Sequence, residues 1–390
     1  MKILIIHNKY VEKGGEDTTV NNEFSLLKKY ENDVELLIFN NNGKFKQIIN
    51  FLLYPVNLFS YLKIRKKIKE FKPDVIHVHN FFFSCSPMVV WAAKKENTPV
   101  ILTIQNFRLL CPSGTLFHKG EIYTKSLKDH FTLQPSIDRV YRNSFFLTLW
   151  LYTSNYIHFK IGTWGNCAKF IFASNFSKTV FEQSKFRIYS SRFILKYNFL
   201  AKEMNDAPVN DERQEYFLFI GRLTEEKGID VLLNCFKQSS QKLLIVGNGK
   251  LKDEVIESSK RNKNIEFLGF KEKAEILHYL SNAKALIFPS IWYEGMPLTI
   301  VESFSVGTPV IASNLGAMGE IIIDGLNGLH FEPGNPADLQ NKINQLMGLS
   351  TTEYKEMLEN TYDNFERKFS AEDNYSQLIN IYNEVISTGK

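Results

Sequence analysis

This sequence of 390 residues lacks closely spaced cysteine pairs, apolar runs of membrane-spanning length and a large excess of charge of one sign. The four cysteines lie far apart without any C-x-x-C pair, so neither a disulfide framework nor a zinc site is indicated, and a reduced cytoplasmic setting is expected. The longest uncharged aromatic run, residues 144–159, is shorter than the roughly twenty apolar residues that cross a bilayer. The formal charge of +5 is too small and too dispersed to indicate nucleic-acid binding.

The residues that are present are those of an ordinary globular chain, with 44% hydrophobic and 23% charged residues. The length exceeds what one hydrophobic core accommodates, so we expect two domains of roughly 180 residues each. Short apolar runs alternate with longer helical patterns, which predicts an α/β fold of parallel sheets covered by helices. The predicted strands are residues 3–7, 34–39, 75–78, 100–104, 170–173, 216–220, 242–246, 265–268, 285–288, 309–312 and 328–331.

The domain boundaries follow from one polar stretch. Residues 198–214 show no apolar period and are predicted to link the two domains. The first domain then covers residues 1–197 and the second covers residues 215–365. Residues 366–390 are predicted to form a C-terminal helix that packs back on the first domain.

Two carboxylates eight positions apart, Glu294 and Glu302, are the strongest indication of a binding site. Pro297 lies between them and suits the first turn of a helix, where its missing N–H is not needed. The glutamates would then bracket a helix N-terminus, whose unpaired N–H groups and positive dipole end favour anions. This arrangement suits a sugar that is attached to a phosphate.

Two cations follow the predicted strand that ends at Gly221. Arg222 comes next in the chain, and Lys227 follows after a short loop. Open α/β sheets bind ligands at the carboxyl ends of their strands, and an arginine with a lysine suits a diphosphate. These residues alone leave open a second interpretation, in which the charges are solvated at an exposed helix start.

Two glycine-rich turns also follow predicted strands. Gly247 and Gly249 form a G-x-G pattern without the rest of the dinucleotide-binding fingerprint, so we interpret them as a structural turn. Gly14 and Gly15 follow the first strand and precede a helical pattern. Such a pair permits close approach of the backbone to a ligand, and a plain turn explains it equally well.

In their order and spacing, six segments resemble the retaining glycosyltransferases of family 4. That family has the GT-B fold, in which two Rossmann-like domains with parallel sheets face each other across a central cleft. The resemblance covers nearly the whole chain and is strongest from Phe217 to about Asp338. The segments are Gly221-Arg-Leu-Thr-Glu-Glu-Lys-Gly228, Leu244-Ile-Val-Gly-Asn-Gly249, Phe267-Leu-Gly-Phe270, Phe288-Pro-Ser290, Glu294-Gly-Met-Pro-Leu-Thr-Ile-Val-Glu302 and Gly307-Thr-Pro-Val-Ile-Ala312.

The resemblance implies that the second domain binds a nucleotide-sugar donor, with a UDP-sugar expected first. Arg222 and Lys227 would hold the diphosphate and Glu302 the ribose hydroxyl groups. Glu294 would hold the transferred sugar. The other implied donor-binding residues are Gly14, Gly15, Gly221, Gly295, Met296, Pro297 and Leu298.

The run from Thr103 to Phe117 resembles a bacterial subgroup that builds cell-surface polysaccharides such as capsule or O-antigen. That subgroup leads us to expect histidine where this chain has Gln105. Glutamine keeps a hydrogen-bonding side chain but does not carry a proton charge. Gln105, Asn106 and Arg108 are assigned to the acceptor or donor-sugar side of the site.

The implied reaction transfers a sugar to an acceptor hydroxyl group and keeps the anomeric configuration. Arg222 and Lys227 would stabilise the departing diphosphate, and Glu294 would position sugar hydroxyl groups. A covalent role for Glu294, as in retaining glycosidases, is the alternative. The chain has no Asp-x-Asp sequence, so we expect neither a catalytic metal nor another cofactor.

An aromatic run at residues 51–62 leads into the basic segment 63–72, where Ile64, Ile68 and Phe71 repeat at helical spacing. This pattern fits a helix on an anionic membrane, and it equally fits a helix whose apolar stripe packs on the core. The membrane interpretation, together with the aromatic run near residue 150, favours a lipid-linked saccharide acceptor. The enzyme would then be peripheral on the cytoplasmic face of the inner membrane.

Two rival functions remain on the sequence alone. Gln105 motivates a catalytically silent GT-B protein that binds a nucleotide-sugar or a glycan. A related enzyme, either a nucleotide-sugar epimerase or a soluble α-glucan synthase, is the second rival. The complete E-x7-E segment argues against the epimerase, and the basic aromatic segment argues against the synthase.

Overall fold

The computed structural model describes residues 1–9, 14–41, 43–200 and 212–388. Within it the chain divides into two compact units. Unit 1 comprises Met1–Leu116, Tyr123–Asn198 and the residues from Glu372 onward, and unit 2 comprises Phe117–Ile122 and Phe199–Ala371. Most of the predicted linker 198–214, namely residues 201–211, lies outside the described residues.

The main sheet of unit 1 has six parallel strands in the order β2-β1-β3-β4-β7-β8. Its central strands are buried along nearly their whole length, because helices cover both faces of a parallel sheet. All four side chains from Ile3 to Ile6 in β1, for example, are fully buried. The strands of the first half of the chain are β1 (Lys2–Lys9), β2 (Asp33–Asn40), β3 (Val75–Asn80), β4 (Val100–Ile104), β5 (Phe117–His118), β6 (Glu121–Ile122), β7 (Lys169–Phe172) and β8 (Phe193–Leu195).

The helices of the first half connect these strands, with 3-10 turns at Thr163–Asn166 and Lys185–Arg192. Polar side chains cap several of them. Asn57, Ser144 and Ser174 each accept a backbone N–H of the following first turn, which satisfies one of its unpaired donors. The helices are α1 (Gly15–Lys29), α2 (Lys44–Leu52), α3 (Leu58–Phe71), α4 (Met88–Lys95), α5 (Gln134–Ile137), α6 (Phe145–Lys160) and α7 (Asn175–Glu182).

Unit 2 repeats the parallel α/β plan with the strand order β11-β10-β9-β12-β13-β14. Its strands are β9 (Tyr216–Ile220), β10 (Lys242–Val246), β11 (Ile265–Gly269), β12 (Ala285–Phe288), β13 (Val310–Ser313) and β14 (Gly328–Phe331). Its helices, followed by the last helix of the described chain, are α8 (Ile229–Phe236), α9 (Lys252–Arg261), α10 (Lys273–Asn282), α11 (Leu298–Ser305), α12 (Met318–Ile321), α13 (Pro336–Met347), α14 (Thr351–Phe369) and α15 (Ala371–Thr388). The expected class, two Rossmann-like domains with parallel sheets, is confirmed.

Each unit has a hydrophobic core of its own. In unit 2, β-strand residues such as Phe217 and Ile245 pack with α13 and α14. In unit 1, α15 supplies Leu378, Tyr382 and Val385 to a core that also contains the buried side chains of β1 and β3. The last helix therefore belongs to the unit that begins the chain.

The structure departs from the sequence interpretation in two places. The antiparallel hairpin β5–β6 groups with unit 2, although the predicted first domain ran without a break from 1 to 197. The edge strand β8 was not predicted, since three residues are too few to show a pattern. Among the residues that the structure describes, no helix is both long enough and apolar enough to cross a bilayer.

Candidate functional site

The strand order of unit 2 reverses between β9 and β12. In an open α/β sheet the helices on either side of such a reversal lie on opposite faces, which leaves a crevice at the carboxyl ends of the two strands. Arg222 and Lys227 follow β9, and Glu294 follows β12. The sheet topology thus brings the three residues with predicted catalytic roles to one place.

Glu294 is buried and is the centre of this cluster. Its Oε1 atom accepts three hydrogen bonds, from Lys227 Nζ at 2.6 Å, Trp292 Nε1 at 2.7 Å and Ser290 Oγ at 2.9 Å. The ammonium group also lies 5.2 Å from the ring centre of Phe288 and 5.5 Å from that of Trp292. The buried carboxylate is therefore paired with a cation and held in one orientation.

The two oxygens of Glu294 are placed differently. All three of these hydrogen bonds end on Oε1, and no donor from the described part of the chain reaches Oε2. A carboxylate oxygen accepts about two hydrogen bonds. Oε2 therefore keeps its capacity for hydroxyl groups of a ligand, while Oε1 anchors the side chain.

Arg222 is placed beside this cluster and is mostly exposed. Its Nη2 atom lies 3.5 Å from Glu226 Oε1, and its guanidinium carbon lies 6.0 Å from the ring centre of Trp292. The side chain is 57% exposed, so its pairing with Glu226 is weak and readily replaced by a ligand oxygen. Arg222 thus offers a planar, solvent-accessible fork of donors next to Lys227.

Glu302 lies on α11, four positions beyond its first residue. Its Oε1 atom is 3.1 Å from Lys273 Nζ. Burial raises the pKa of the Glu302 carboxyl group, and the neighbouring lysine opposes that shift. Because Glu302 is paired with Lys273 within unit 2, its carboxylate is held in place on α11 as a hydrogen-bond acceptor.

The helix start between the two glutamates differs slightly from the prediction. Pro297 is the N-cap of α11 and not its first helical residue, with φ −76° and ψ 108°. Pro297 is buried, whereas Gly295, Met296 and Leu298 are partly exposed. The backbone amides of this segment precede the first hydrogen-bonded turn, so they retain donors suited to a ligand oxygen.

Two glycines allow the loops of the site to pass closely. Gly228 has a φ of +71°, and a Cβ atom there would lie 1.9 Å from the carbonyl oxygen of Pro289. Gly247 has a φ of +149°, and its Cβ atom would lie 1.9 Å from the carbonyl oxygen of Gly221. Both positions require glycine. Gly247 accordingly fits the expected structural turn, and Gly221 contributes backbone to the loop that carries Arg222.

Unit 1 holds the other predicted residues. Gly14 is the N-cap of α1 with extended backbone, and Gly15 is the first residue of that helix. The Gly14 N–H donates to Asp17 Oδ2 at 3.2 Å, while Asp17 Oδ1 is 2.8 Å from His7 Nε2. A Cβ atom at Gly14 would meet nothing within 4 Å, so the turn alone does not explain a glycine there.

Gln105, Asn106 and Arg108 follow β4 in the same unit. The Gln105 Nε2 atom is buried and has no hydrogen-bond partner among the described residues. Asn106 Nδ2 donates to Glu16 Oε1 at 2.9 Å, and Asn106 Oδ1 accepts the Arg108 N–H at 3.0 Å. Gln105 thus presents an unsatisfied donor, whereas Asn106 holds the loop against the start of α1.

One buried group in unit 1 offers metal-ligand atoms. Ligand atoms of Glu23, His77 and His79 lie within 4.8 Å of one another. Lys196 Nζ is 2.8 Å from Glu23 Oε1, and the two ring nitrogens of His77 are 2.7 Å from Tyr382 OH and 2.6 Å from a threonine hydroxyl. The cation that neutralises this carboxylate is therefore a lysine, and the group is explained as an internal polar network.

Sequence reasoning missed the residues that hold the glutamates in place. Ser290 and Trp292 bind Glu294, and Lys273 pairs with Glu302. Ser290 closes a segment already noted for its resemblance, and Lys273 follows the strand β11. Both lie just beyond carboxyl ends of strands, which is the one signal that could have found them.

Two family models match this chain. Residues 201–364 match the model described as glycosyl transferases group 1. Residues 28–184 match the model described as glycosyltransferase family 4. The first match contains every predicted site residue of unit 2.

Curated relatives and a solved structure agree with these matches. An uncharacterized glycosyltransferase of Methanocaldococcus jannaschii is 31% identical over 56% of this chain, which spans 60% of that relative. An uncharacterized 41.2 kDa protein in the cps region of Klebsiella pneumoniae is 25% identical over 97% of this chain and 99% of its own length. The crystal structure of Anabaena HepE in complex with UDP has a TM-score of 0.68 and 18% identity, covering 98% of this chain and all of that one. The two halves of the chain thus match glycosyltransferase family models, and the fold of the chain is GT-B.

Proposed function

We propose that this protein transfers a sugar from a nucleotide-sugar donor to a hydroxyl group of a lipid-linked saccharide in cell-surface polysaccharide synthesis. A UDP-sugar is the donor that we propose. The observation that carries the proposal is the cluster of Glu294, Lys227 and Arg222 at the strand-order reversal of unit 2. It combines an acceptor for sugar hydroxyl groups with two cations for a diphosphate. The cluster therefore matches both halves of a sugar diphosphate.

The cations would act on the leaving group. As the bond from the anomeric carbon to the β-phosphate oxygen breaks, negative charge grows on the diphosphate. Arg222 offers a bidentate fork, and the Lys227 ammonium has three donors, of which Glu294 takes one. The new bond forms to the acceptor oxygen, and the proton of the acceptor hydroxyl group leaves with the diphosphate.

Glu294 would position the transferred sugar. Its Oε2 atom would accept sugar hydroxyl groups while Oε1 remains fixed by Lys227, Trp292 and Ser290. A carboxylate already held in this way is a poorer nucleophile, which favours positioning over a covalent role. Glu302 would accept the ribose hydroxyl groups, and the backbone N–H groups of Gly295, Met296 and Leu298 would complete the donor site.

We further propose that the reaction needs no metal ion and keeps the anomeric configuration. Two side-chain cations beside the predicted diphosphate position supply the charge that a divalent ion gives to other transferases. In unit 1, the Gln105 Nε2 amide would donate to a ligand, and the paired glycines Gly14 and Gly15 would let a ligand approach the backbone closely. Retention is the outcome expected from the family resemblance.

The donor and acceptor are proposed from the relatives. HepE is described in complex with UDP, which supports a uridine donor. The Klebsiella relative is described as a protein of a cps region, which supports a role in surface polysaccharide. A lipid-linked acceptor would place the enzyme against the anionic cytoplasmic face of the inner membrane.

The test is release of nucleoside diphosphate by the purified protein from a panel of UDP-, GDP- and dTDP-sugars, with and without membrane lipid extract. Release that requires one donor and the lipid is expected. The same assay with added chelator tests the metal-free reaction, and the anomeric proton coupling of the product by NMR tests retention.

Arg261→Ala is the matched control for Arg222→Ala, since both side chains are exposed arginines of unit 2. Loss of release with the Arg222 variant alone supports the assigned site. Tight donor binding without any release would overturn the transferase and leave a nucleotide-sugar-binding protein. Release with water as the only acceptor would overturn the lipid-linked acceptor.

A further inference from the structure

Unit 1 turns apolar side chains outward along α2, the start of α3 and α6. Three of the five apolar residues of α2, Phe45, Ile48 and Leu52, repeat at i, i+3 and i+7 and are 79%, 59% and 56% exposed, whereas Phe51 is buried. The opposite side of the same helix buries the polar Asn50, whose amide is 3.4 Å from Asn41 Oδ1. A surface helix normally buries its apolar stripe, so α2 is oriented the other way round.

The outward surface continues onto α3. Phe59 is 79% exposed and Leu62 is 52% exposed. Further along α3 the arrangement changes, because Ile64 and Ile68 are buried in unit 1. The membrane interpretation of segment 63–72 is thus corrected: its apolar stripe faces the core, and the exposed apolar residues precede it.

Helix α6 contacts the end of α2 and the loop that follows it. Trp150 Nε1 donates to the carbonyl oxygen of Phe51 at 3.0 Å, and His158 Nε2 is 2.7 Å from the carbonyl oxygen of Pro55. Phe146 and Trp150, one turn apart on α6, are 78% and 41% exposed. These contacts place α6 beside the end of α2 and the loop that leads to α3. We call the exposed apolar side chains of α2, the start of α3 and α6 the α2–α6 surface.

The chain segments that form the α2–α6 surface carry cations and no acidic residue. The sequence contains no Asp or Glu between Glu35 and Glu70, nor between Asp138 and Glu182. Exposed cations border the apolar side chains, namely Lys46, Lys63, Lys66, Arg142 and Lys160. Among the described residues, Lys66 alone of these five forms an ion pair, at 3.8 Å from Glu70.

We infer that the α2–α6 surface docks on an anionic lipid bilayer. Outward phenylalanine, isoleucine and leucine side chains enter the boundary between headgroups and acyl chains, and tryptophan favours the same depth. Lysines beside them reach lipid phosphates while their stems stay apolar. A protein partner with acidic residues is the competing occupant, and the vesicle test below distinguishes it from a bilayer.

This inference deepens the membrane contact of the proposed function by naming the surface that makes it. The test is flotation of the whole protein with vesicles of phosphatidylglycerol and phosphatidylcholine, without any donor. A failure of vesicle binding is therefore separate from a failure of sugar transfer. Binding is expected to weaken with added salt and on vesicles of phosphatidylcholine alone.

The apolar arm compares two double variants. Phe45→Ser with Phe59→Ser removes two side chains of the surface, and Ile188→Ser with Phe270→Ser removes two comparably exposed ones elsewhere. Because all four are exposed, the melting temperature should hold in both variants. We expect the first to bind vesicles at least about tenfold more weakly, and the second to bind like the unaltered protein.

The charge arm replaces Lys46, Lys63 and Lys66 together with glutamine. A basic residue near an anionic surface contributes about fivefold in affinity, so roughly a hundredfold loss is expected. The control replaces Lys250, Lys252 and Lys263, which are exposed lysines of unit 2, and should change little.

Three outcomes would overturn the inference. One is vesicle binding that all these variants share equally, and another is no binding by the unaltered protein. The third is a change of oligomeric state, seen by light scattering, in the Phe45 and Phe59 variant while vesicle binding is unchanged. That last result would assign the surface to a second copy of this chain.

Discussion

Glu294 illustrates how a single side chain can be fixed and still be available to a ligand. Three donors converge on its Oε1 atom, and they come from three different residues. Removing one donor should leave the carboxylate in place but less well oriented. Positioning by neighbours of this kind commonly changes turnover more than binding.

We expect Trp292→Phe to lower kcat by about tenfold, because the ring is kept while one hydrogen bond to a charged group is lost. The KM for the donor should change less than kcat. Trp91→Phe is the control, since it also loses one indole hydrogen bond, to Thr163 within unit 1. Equal rates for the two variants would contradict the positioning role.

Arg222→Ala and Lys227→Ala should each lower turnover by about two orders of magnitude, the scale for removing one stabiliser of transition-state charge. They should differ in stability. Arg222 is mostly exposed, so its loss should leave the melting temperature unchanged. Lys227→Ala leaves Glu294 buried without its cation and should cost about 2 kcal/mol or more of unfolding free energy. Full activity in either variant would remove the diphosphate assignment.

Acid should destabilise unit 1 through its buried histidines. Burial lowers the pKa of His7, His77 and His158, so each of them takes up its proton at a lower pH in the folded chain than in the unfolded chain. Below about pH 6.5 the unfolded chain binds protons that the folded chain does not, so each histidine can cost up to about 1.4 kcal/mol per pH unit. The melting temperature, measured from pH 8 to 5.5, should be level above pH 7 and fall below 6.5. A melting temperature that rises with acid would contradict this.

At this scale the sequence allowed prediction of the residues that carry charge but not of their partners. Glu294 and Lys227 could be singled out because each follows an apolar run predicted to be a strand, and because Glu294 lies eight positions before Glu302. Their direct contact, at 2.6 Å, depends on β9 and β12 being neighbours in the sheet, which the linear order does not state. Lys273 was missed for the same reason, since β11 lies two strands from β9.

Among the elements, the loop at Gly228 passes very close to the backbone of a neighbouring loop in the candidate site. We expect Gly228→Ala to destabilise unit 2 by several kcal/mol more than Gly334→Ala. Both glycines have a φ between +70° and +80°, so in both variants the alanine is destabilised by about 1–2 kcal/mol in the left-handed backbone conformation. Only Gly228 would also place a Cβ atom 1.9 Å from a carbonyl oxygen. Chemical denaturation of the two variants measures the difference, and equal midpoints would contradict the close approach.

The strands were predictable and the orientation of two helices was not. A strand of a parallel sheet is buried on both faces and shows as an unbroken apolar run, as in β1. Helices α2 and α3 both carry apolar stripes, yet that of α3 faces the core and that of α2 faces outward. Periodicity shows that a stripe exists but not which way it turns.

For the whole molecule, the two separate cores predict separate responses to core mutations. Leu378 of α15 and Leu346 of α13 are both fully buried, in unit 1 and unit 2 respectively. Either leucine changed to alanine should cost about 2–5 kcal/mol. Hydrogen exchange should then speed up in β1 for Leu378→Ala and in β9 for Leu346→Ala. Faster exchange in both units for either variant would contradict independent cores.

The composition of unit 1 has a consequence for the order of events during translation. The ribosome releases residues 1–198 long before α15, and the main segment of unit 2, Phe199–Ala371, is synthesised in between. Tyr382 and Leu378 belong to the core around β1 and β3, so that core stays incomplete until the last helix emerges. Unit 2, whose main segment is continuous, can close first. During synthesis, unit 1 therefore exposes apolar surface that α15 later covers, and a chaperone can bind that surface in the meantime.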